Sequence, residues 1–588
     1  MTRLIKRLGG VGMLALLGLA ASIPALAQLP DSKQVPRAAA TLRIGLWTLW
    51  HDKEITVSPA PAERATLRNC ESCAAMAFTR TAQIHAIGDL LESGDNHQAA
   101  TIFLSGPISL AAHGETLALQ NSLRIAARKG ALVLAVTLPT ESYVERVVAS
   151  ESSSADSLES LKALAIVVRS FALHPAHGHA DYDLCDSTHC QLLHWGGNPE
   201  RRAAAHSATL STAGETLWFH SSRAEAWFHQ NCGGRTASPS EVWPGRKQMP
   251  WFVAQSDRYC TARGAREWSA NLSLSDLTTA LAADGLVRPG WKTLTVDRRG
   301  ESGRAMTLRA GSTGISAESF RLAVGRTMGW NRILSTWFEV TRQDDRFIFH
   351  GRGSGHGVGL CQTGSAAMAA AGHDSSQILA QYFPGAAVAD EASGLAWQSL
   401  RGQGFSFETL DPADSTYLPQ LSRSLAEAED RSGLKAASQF TVRSFASTPA
   451  FRSAMLAPGW VAAFTEGDWI GTQPLRTLAG RKLLVPVLRH EFLHALVEGQ
   501  AGASAPLWLR EGLVETWSGD APASGNPTTL KPGEVDRALA RSTTEVQSAA
   551  AHRAAAWYAA RLLSRYGHGQ VLNWLRSGVP AGVTASAW

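Results

Sequence analysis

Two stretches carry the residue types that can break covalent bonds. In the first, Leu138-Pro-Thr-Glu-Ser-Tyr-Val-Glu-Arg-Val-Val-Ala-Ser-Glu151, a helix is predicted to start at Thr140, behind Pro139. At ~100° per residue, Tyr143, Val144, Val147 and Val148 form one apolar stripe with Glu151 close to its middle, while Glu141 and Glu145 point roughly 90–130° away. A carboxyl turned into apolar surroundings resists ionisation, so Glu151 is expected to hold a proton near neutrality, as a general acid must. The same spacing fits a buried glutamate that only pairs with Arg169 on the next helix. The second stretch is His490-Glu491-Phe492-Leu493-His494, inside a helix predicted over 485–500. Two His at i and i+4 share a face and can hold one zinc, with Glu491 placed between them to activate water.

A third group is His179, Cys185 and Cys190, imidazole and thiol donors at a compact spacing that zinc uses. His189 is an alternative ligand, and a Cys185–Cys190 disulfide is the competing expectation. Cys70-x2-Cys73 has no partner pair, which leaves a metal, a disulfide or free thiols open. Cys232 and Cys260 are spaced to pair across a loop. The many tryptophans show no spacing that forms a platform, and most of them read as core or packing residues.

These groups must be positioned by two kinds of domain. Residues 42–140 read as short strands, with Leu42–Leu46, Ala99–Leu104 and Leu132–Val136 the clearest. Helices follow to Leu173, the second opening on a capping-box-like Asp156 and Glu159 with a core face of Leu158, Leu161, Leu164, Ala165 and Val168. Mixed strands and Gly-, Trp- and His-rich loops then run to about Gly385. A small, polar stretch at 391–410 reads as a linker. Beyond it the period is helical, over 417–434, 483–500 and 535–576, and residues 459–471 look like a strand pair over a cleft. The expected class is therefore α+β and multidomain: a mixed domain at 42–390, then a mainly helical domain with a small sheet at 411–588.

Composition narrows the function. The chain has 588 residues, 45% of them hydrophobic, which is ample for real cores. Its 55 Lys+Arg against 50 Asp+Glu form no basic run, so nucleic acid is a poor partner. Arg3, Lys6 and Arg7, a short apolar stretch over 11–23 and an Ala25-Leu26-Ala27 end read as a secretory leader, residues 1–27. The expectation is an exported protein of the periplasm or cell envelope, with no stable membrane span once the leader is cleaved.

Four ordered blocks sharpen this: 138–173 (LPTESYVERVVASES…LKALAIVVRSFAL), 186–191 (DSTHCQ), 228–236 (FHQNCGGRT) and 351–385 (GRGSGHGVGLCQTGSAAMAAAGHDSSQILAQYFPG). Together they resemble the stage II sporulation protein D / amidase enhancer family, whose best-understood members are peptidoglycan lytic transglycosylases. The resemblance implies that Glu151 is the catalytic acid/base, cutting the MurNAc–GlcNAc bonds of peptidoglycan glycan strands. It also implies zinc on His179, Cys185 and Cys190, and Arg169, His356 and Gln362 at the substrate. Glycines around His356 let backbone approach a sugar closely, or simply make a tight turn. Two departures stand out. Ser152-Ser153-Ser154 follow Glu151 where relatives carry Met-Pro, and Ser354 replaces an aromatic before Gly-His-Gly.

The C-terminal combination RHEFLHALVE…PLWLREGLVETW is similar to gluzincin-type zinc metallopeptidases. That likeness implies His490, His494 and Glu511 as ligands and Glu491 as general base, with Glu515 the second choice for the third ligand. The rival expectations are a non-catalytic wall-binding module that enhances a separate cell-wall amidase, or a peptidase that the first domain only targets to the wall.

Overall fold

The computed structural model describes residues 41–588, apart from short stretches at 62–63, 94–96, 154–155, 175–177, 197, 437, 458–459, 520–528, 543 and 587–588. The leader read in residues 1–27 lies outside the described residues. Among the described residues no helix is long and apolar enough to cross a membrane.

The strand Ala131–Pro139 organises the first half. Its alternate side chains Leu132, Leu134, Val136 and Leu138 are buried, as a pleated strand over a core requires. It pairs antiparallel with Thr41–Leu46 on one side and Leu123–Arg128 on the other. These strands centre a seven-stranded sheet, and a six-stranded sheet built around Glu54–Pro59 shares its core.

The same strand runs directly into the helix Thr140–Glu151, with Pro139 as its N-cap. Proline suits that position because its missing N–H would have no helical partner. Tyr143, Val144, Val147 and Val148 are all buried, as the stripe required. Glu141 departs from expectation, being buried as well. The next helix, Leu158–Ala172, starts after Ser157 and makes no side-chain cap. Asp156 instead accepts from the Ser153 amide at 2.7 Å, so the capping box is absent. Twelve of the fifteen residues in this helix are buried, making it a central element rather than a one-faced one, and only its first residue, Leu158, is well exposed.

Residues 267–352 form a subdomain with its own core, where two three-stranded sheets and the helices Leu274–Ala283 and Ala317–Met328 close over Phe320, Phe338, Phe347 and Phe349. The single mixed domain read at 42–390 is thus built around two hydrophobic centres.

The stretch read as a linker is sheet in large part. Gln398–Arg401 and Phe405–Thr409 are neighbouring strands of a five-stranded sheet, and Phe405 and Phe407 are fully buried. Only two large side chains alternate inward there, so composition hid the strand. The helices Leu418–Ser432, Leu484–Glu498, Leu507–Ser518 and Pro532–Arg541 pack with this sheet into one core. The helical run predicted to end at residue 576 is two elements, the second spanning Glu545–Ser577 with a break at Gly567.

The two halves meet directly. Arg443, 3% exposed, bonds Glu408 on its own side and Glu215 on the other. Phe445, Phe451 and Trp469 pack with Ala213, and His206 bridges Glu145 and Glu466 at 2.9 Å each.

Candidate functional sites

Glu151 is the last residue of its helix and is half-buried. Burial raises its carboxyl to about 7, against which a hydrogen bond from the Leu192 amide (3.3 Å) pulls only weakly. Its backbone carbonyl accepts from Gln362 Nε2 at 2.9 Å. Gln362 opens the helix Gln362–Ala370, so the Gly-rich block and the glutamate meet in space as expected.

A groove of ≈ 810 Å³ runs beside this helix end. Ala149, Ser150 and Leu192 line it, so the immediate neighbours of Glu151 form its wall although Glu151 itself does not. Trp47, Trp50, Trp195 and Trp330 line it too, contributed by three distant segments. Trp50 and Trp330 are 59% and 47% exposed, an unusual state for indoles and one suited to stacking on sugar faces. Trp47 belongs to the core and Trp195 packs against it, as read from sequence, while Trp50 and Trp330 are the exceptions. One carboxylate in the groove, Asp186, is occupied by the Trp47 amide (2.7 Å) and the Thr48 hydroxyl (3.0 Å).

Arg169 is not at the groove. It is fully buried and grips Glu141 at 2.6 and 2.8 Å, with Glu215 and Thr209 carbonyls completing its shell. Its expected pairing with Glu151 does not occur, and no surface remains to touch a substrate. A guanidinium desolvated this far needs a bidentate carboxylate, and Glu141 is placed to supply it. His356 is half-buried, and its Nδ1 accepts from the Val358 amide at 3.1 Å. Burial, helped by Arg321 and Arg304 and opposed by Glu318, lowers it to about 4, so it is neutral at physiological pH. Its ring lies edge-on to His229 and tilted against Trp243 within the Gly-rich loop.

His179, Cys185, His189 and Cys190 converge, with donor atoms all within 4.8 Å of one another. His179 Nε2 lies 3.2 Å and Cys185 Sγ 2.9 Å from Cys190 Sγ, and both cysteines are free. Two thiols and two imidazoles match a tetrahedral zinc set, so the residues fit the cation. The chain leaving this cluster reaches the glutamate within two residues. Gln191 accepts from the buried Tyr143 hydroxyl at 3.0 Å, and Leu192 donates to Glu151. Cys70 and Cys73 form a disulfide, whereas Cys232 and Cys260 remain free.

In the second half, His490 and His494 face each other on the helix Leu484–Glu498 with Nε2 atoms 3.1 Å apart. Glu511, from the helix Leu507–Ser518, brings Oε2 to 3.7 Å from His494 Nε2. That oxygen is buried and has no hydrogen-bond partner among the described residues. Zinc bonds of 2.0–2.2 Å in a tetrahedron place neighbouring ligand atoms roughly 3.3 Å apart, a spacing that the His490–His494 and His494–Glu511 separations bracket, and an orphan carboxylate oxygen is what such a ligand leaves behind. Glu515 turns away to His552 Nδ1 at 2.9 Å. Glu491 Oε2 accepts from Thr465 at 2.6 Å, on the edge strand Ala463–Glu466 predicted to overlie the cleft.

Sequence reasoning missed His552 and Thr465 here, and it missed Leu192 and the tryptophan wall at the groove. His552 lies on Glu545–Ser577, far along the chain from the paired histidines, with no local pattern to mark it. A tryptophan cluster drawn from three segments likewise leaves no periodic trace.

Comparison with known proteins places part of this geometry. Residues 128–219 match the family model described as stage II sporulation protein (SpoIID), a span that includes Glu151 and all of the first thiol–imidazole cluster. Residues 247–359, which enclose the separate subdomain, match a domain of unknown function. The chain is 25% identical over 310 residues to an uncharacterized protein of Brachyspira hyodysenteriae, covering 52% of this chain and 78% of that one. Against the amidase enhancer of Bacillus subtilis it is 25% identical over 287 residues, 41% of this chain and 39% of that protein. Against stage II sporulation protein D of the same organism it is 26% identical over 277 residues, 43% and 75%.

Proposed function

We propose that this chain is an exported cell-wall enzyme that cleaves peptidoglycan glycan strands, with Glu151 as the single acid/base. The observation that carries the reading is the Glu151 carboxyl, raised to about 7 by burial and set behind Ala149, Ser150 and Leu192, which line a groove that also holds four tryptophans. The protonated carboxyl donates to the glycosidic oxygen between N-acetylmuramic acid and N-acetylglucosamine as the C1–O bond breaks. The carboxylate then takes the proton of the muramic acid primary hydroxyl, whose oxygen bonds to C1 and closes an anhydro ring. One group serves both steps because its pKa lies near the working pH. No second carboxylate is required, in contrast to two-carboxylate glycoside hydrolysis, and Asp186 is already committed to the backbone around Trp47.

The thiol–imidazole cluster has a supporting part in this reading. Holding Cys190 fixes Gln191 on Tyr143 and Leu192 on Glu151, and zinc bound there would hold that short segment still. In the C-terminal half, His490, His494 and Glu511 would hold zinc, and Glu491 would take the proton from an attacking water. Bound zinc supplies water acidic enough to ionise near neutral pH. Thr465 orients Glu491 for that task. This half is proposed as a zinc-dependent peptidase.

The test is mass spectrometry of products after purified protein is incubated with amidase-stripped glycan strands. Anhydro-muramic products that disappear in Glu151→Gln support the enzyme. The name of the amidase enhancer relative favours a second reading, a wall-binding partner of a separate amidase. Amidase stimulation that persists in Glu151→Gln, with no anhydro products from the wild type, would decide for it.

A further inference from the structure

A second group of buried thiols lies outside every site described so far. Cys232, Cys260 and Cys361 are each 0% exposed and Asp257 is 1% exposed, yet the three sulfurs and a carboxylate oxygen all lie within 4.8 Å of one another. They come from separate pieces of chain: the turn after strand Phe228–His229, the short helix Arg258–Arg263, and the strand Leu360–Cys361. We propose that Cys232, Cys260, Cys361 and Asp257 form a structural site for a thiophilic divalent cation, zinc being the best match.

The donor set is the first argument. Three sulfurs and one oxygen make a closed tetrahedron, the pattern of structural rather than catalytic zinc. Zinc–sulfur bonds of about 2.3 Å put ligand atoms roughly 3.8 Å apart, inside the observed spread. The surroundings are the second. Backbone amides aim at the sulfurs, Cys232 N–H at Cys361 Sγ (3.3 Å), Gly234 N–H at Cys232 Sγ (3.3 Å) and Gly364 N–H at Cys361 Sγ (3.4 Å). Such donors favour sulfur in its anionic, ligating form. Tyr382 donates to Asp257 Oδ2 at 2.8 Å, a support of the kind that orients a ligating carboxylate. Gly364 is required at its place, because a Cβ there would collide with the Tyr382 hydroxyl and with Asp257.

The third argument is charge. Arg304 is fully buried and bonds the Cys232 carbonyl at 2.7 Å, while its Nε and Nη1 have no hydrogen-bond partner among the described residues. A buried guanidinium with two orphan nitrogens needs negative charge close by. Three thiolates and a carboxylate around one divalent cation carry a net charge of −2, which Arg304 partly offsets. Glu318 and Glu241 also act on Arg304, and thiolates at Cys232 and Cys361 would add the nearest negative charge. The cation would also bear on the groove, since Cys361 precedes the Gln362 that bonds the Glu151 carbonyl.

Metal content of the full-length chain tests this. A variant carrying Cys185→Ser, Cys190→Ser and His490→Ala disables the other two donor sets. Refolded or expressed with zinc and a phosphine reductant, it is expected to retain one zinc per chain, and adding Cys361→Ser or Asp257→Asn should remove it. No zinc in the folded triple variant, or one zinc that survives Cys361→Ser, would overturn the site. So would a mass 2 Da lower without reductant, with two of these three cysteines cross-linked. If the triple variant does not fold, cobalt loading of the otherwise unaltered chain decides. The thiolate-to-cobalt band should lose more than half its intensity in Cys361→Ser, and an unchanged band counts against the proposal.

Discussion

Replacing Glu151 by Gln separates two consequences of burying one carboxyl. In the folded chain this group ionises at about 7, against 4.5 for the unperturbed side chain. Between those values the folded chain keeps a proton that the unfolded chain releases, so stability falls as pH rises through that window and is flat on either side. At about 1.4 kcal/mol per pH unit, the loss amounts to on the order of 3 kcal/mol by pH 7. Glutamine preserves the shape of the neutral acid and an acceptor for the Leu192 amide, and it cannot ionise. The stability of Glu151→Gln relative to wild type should therefore rise by on the order of 3 kcal/mol between pH 4.5 and 8. Over the same range its glycan cleavage should be lower by about 10²- to 10⁴-fold, the usual worth of a positioned acid or base. Urea unfolding followed by tryptophan fluorescence at half-unit pH steps, run beside product analysis, reads both. Stability profiles that stay parallel across the window would refute the burial argument, whatever happens to activity.

The remaining expectations are smaller in scope. Arg169→Ala leaves Glu141 charged and buried, so it should lower stability by about 3–5 kcal/mol, while Arg169→Ala/Glu141→Ala recovers part of that in a double-mutant cycle. Glu511→Gln should reduce zinc content of the C-terminal half, whereas Glu491→Gln should leave it intact and abolish any peptide hydrolysis, as metal analysis and a peptide digest would show. Thr465→Val removes a hydroxyl from Glu491 and should cost about 1 kcal/mol of transition-state stabilisation in that same digest. Trp50→Ala and Trp330→Ala should weaken glycan-strand binding in a sedimentation assay while the chain stays folded, because the indoles are 59% and 47% exposed.

Local pattern made much of this protein legible. The helix bearing Glu151 could be read from 3.6-residue periodicity, since its stripe of Tyr and Val needs only its own core to stand against. The paired histidines followed from i, i+4 geometry, which any helix delivers. The cluster at 179–190 was legible because its donors lie within a dozen residues of one another. Glu141 was misjudged for the opposite reason. Helical rotation says which way a side chain points but not what waits there, and Arg169 waited. The supposed linker failed similarly, because a strand with two inward Phe residues looks polar in composition.

What the sequence alone determined, then, is the set of chemical groups, the elements that carry them and the short-range spacing between them, because backbone periodicity converts position directly into direction. What the tertiary structure decided is which of those groups meet and how dry their meeting place is. Packing put Gln362 and Leu192 on Glu151, gathered four tryptophans from three segments, sealed Arg169 against Glu141, and brought His552 beside Glu515 near the paired histidines. Burial and charge at a site are sums over neighbours distant in the chain, and those sums exist only once the chain has folded.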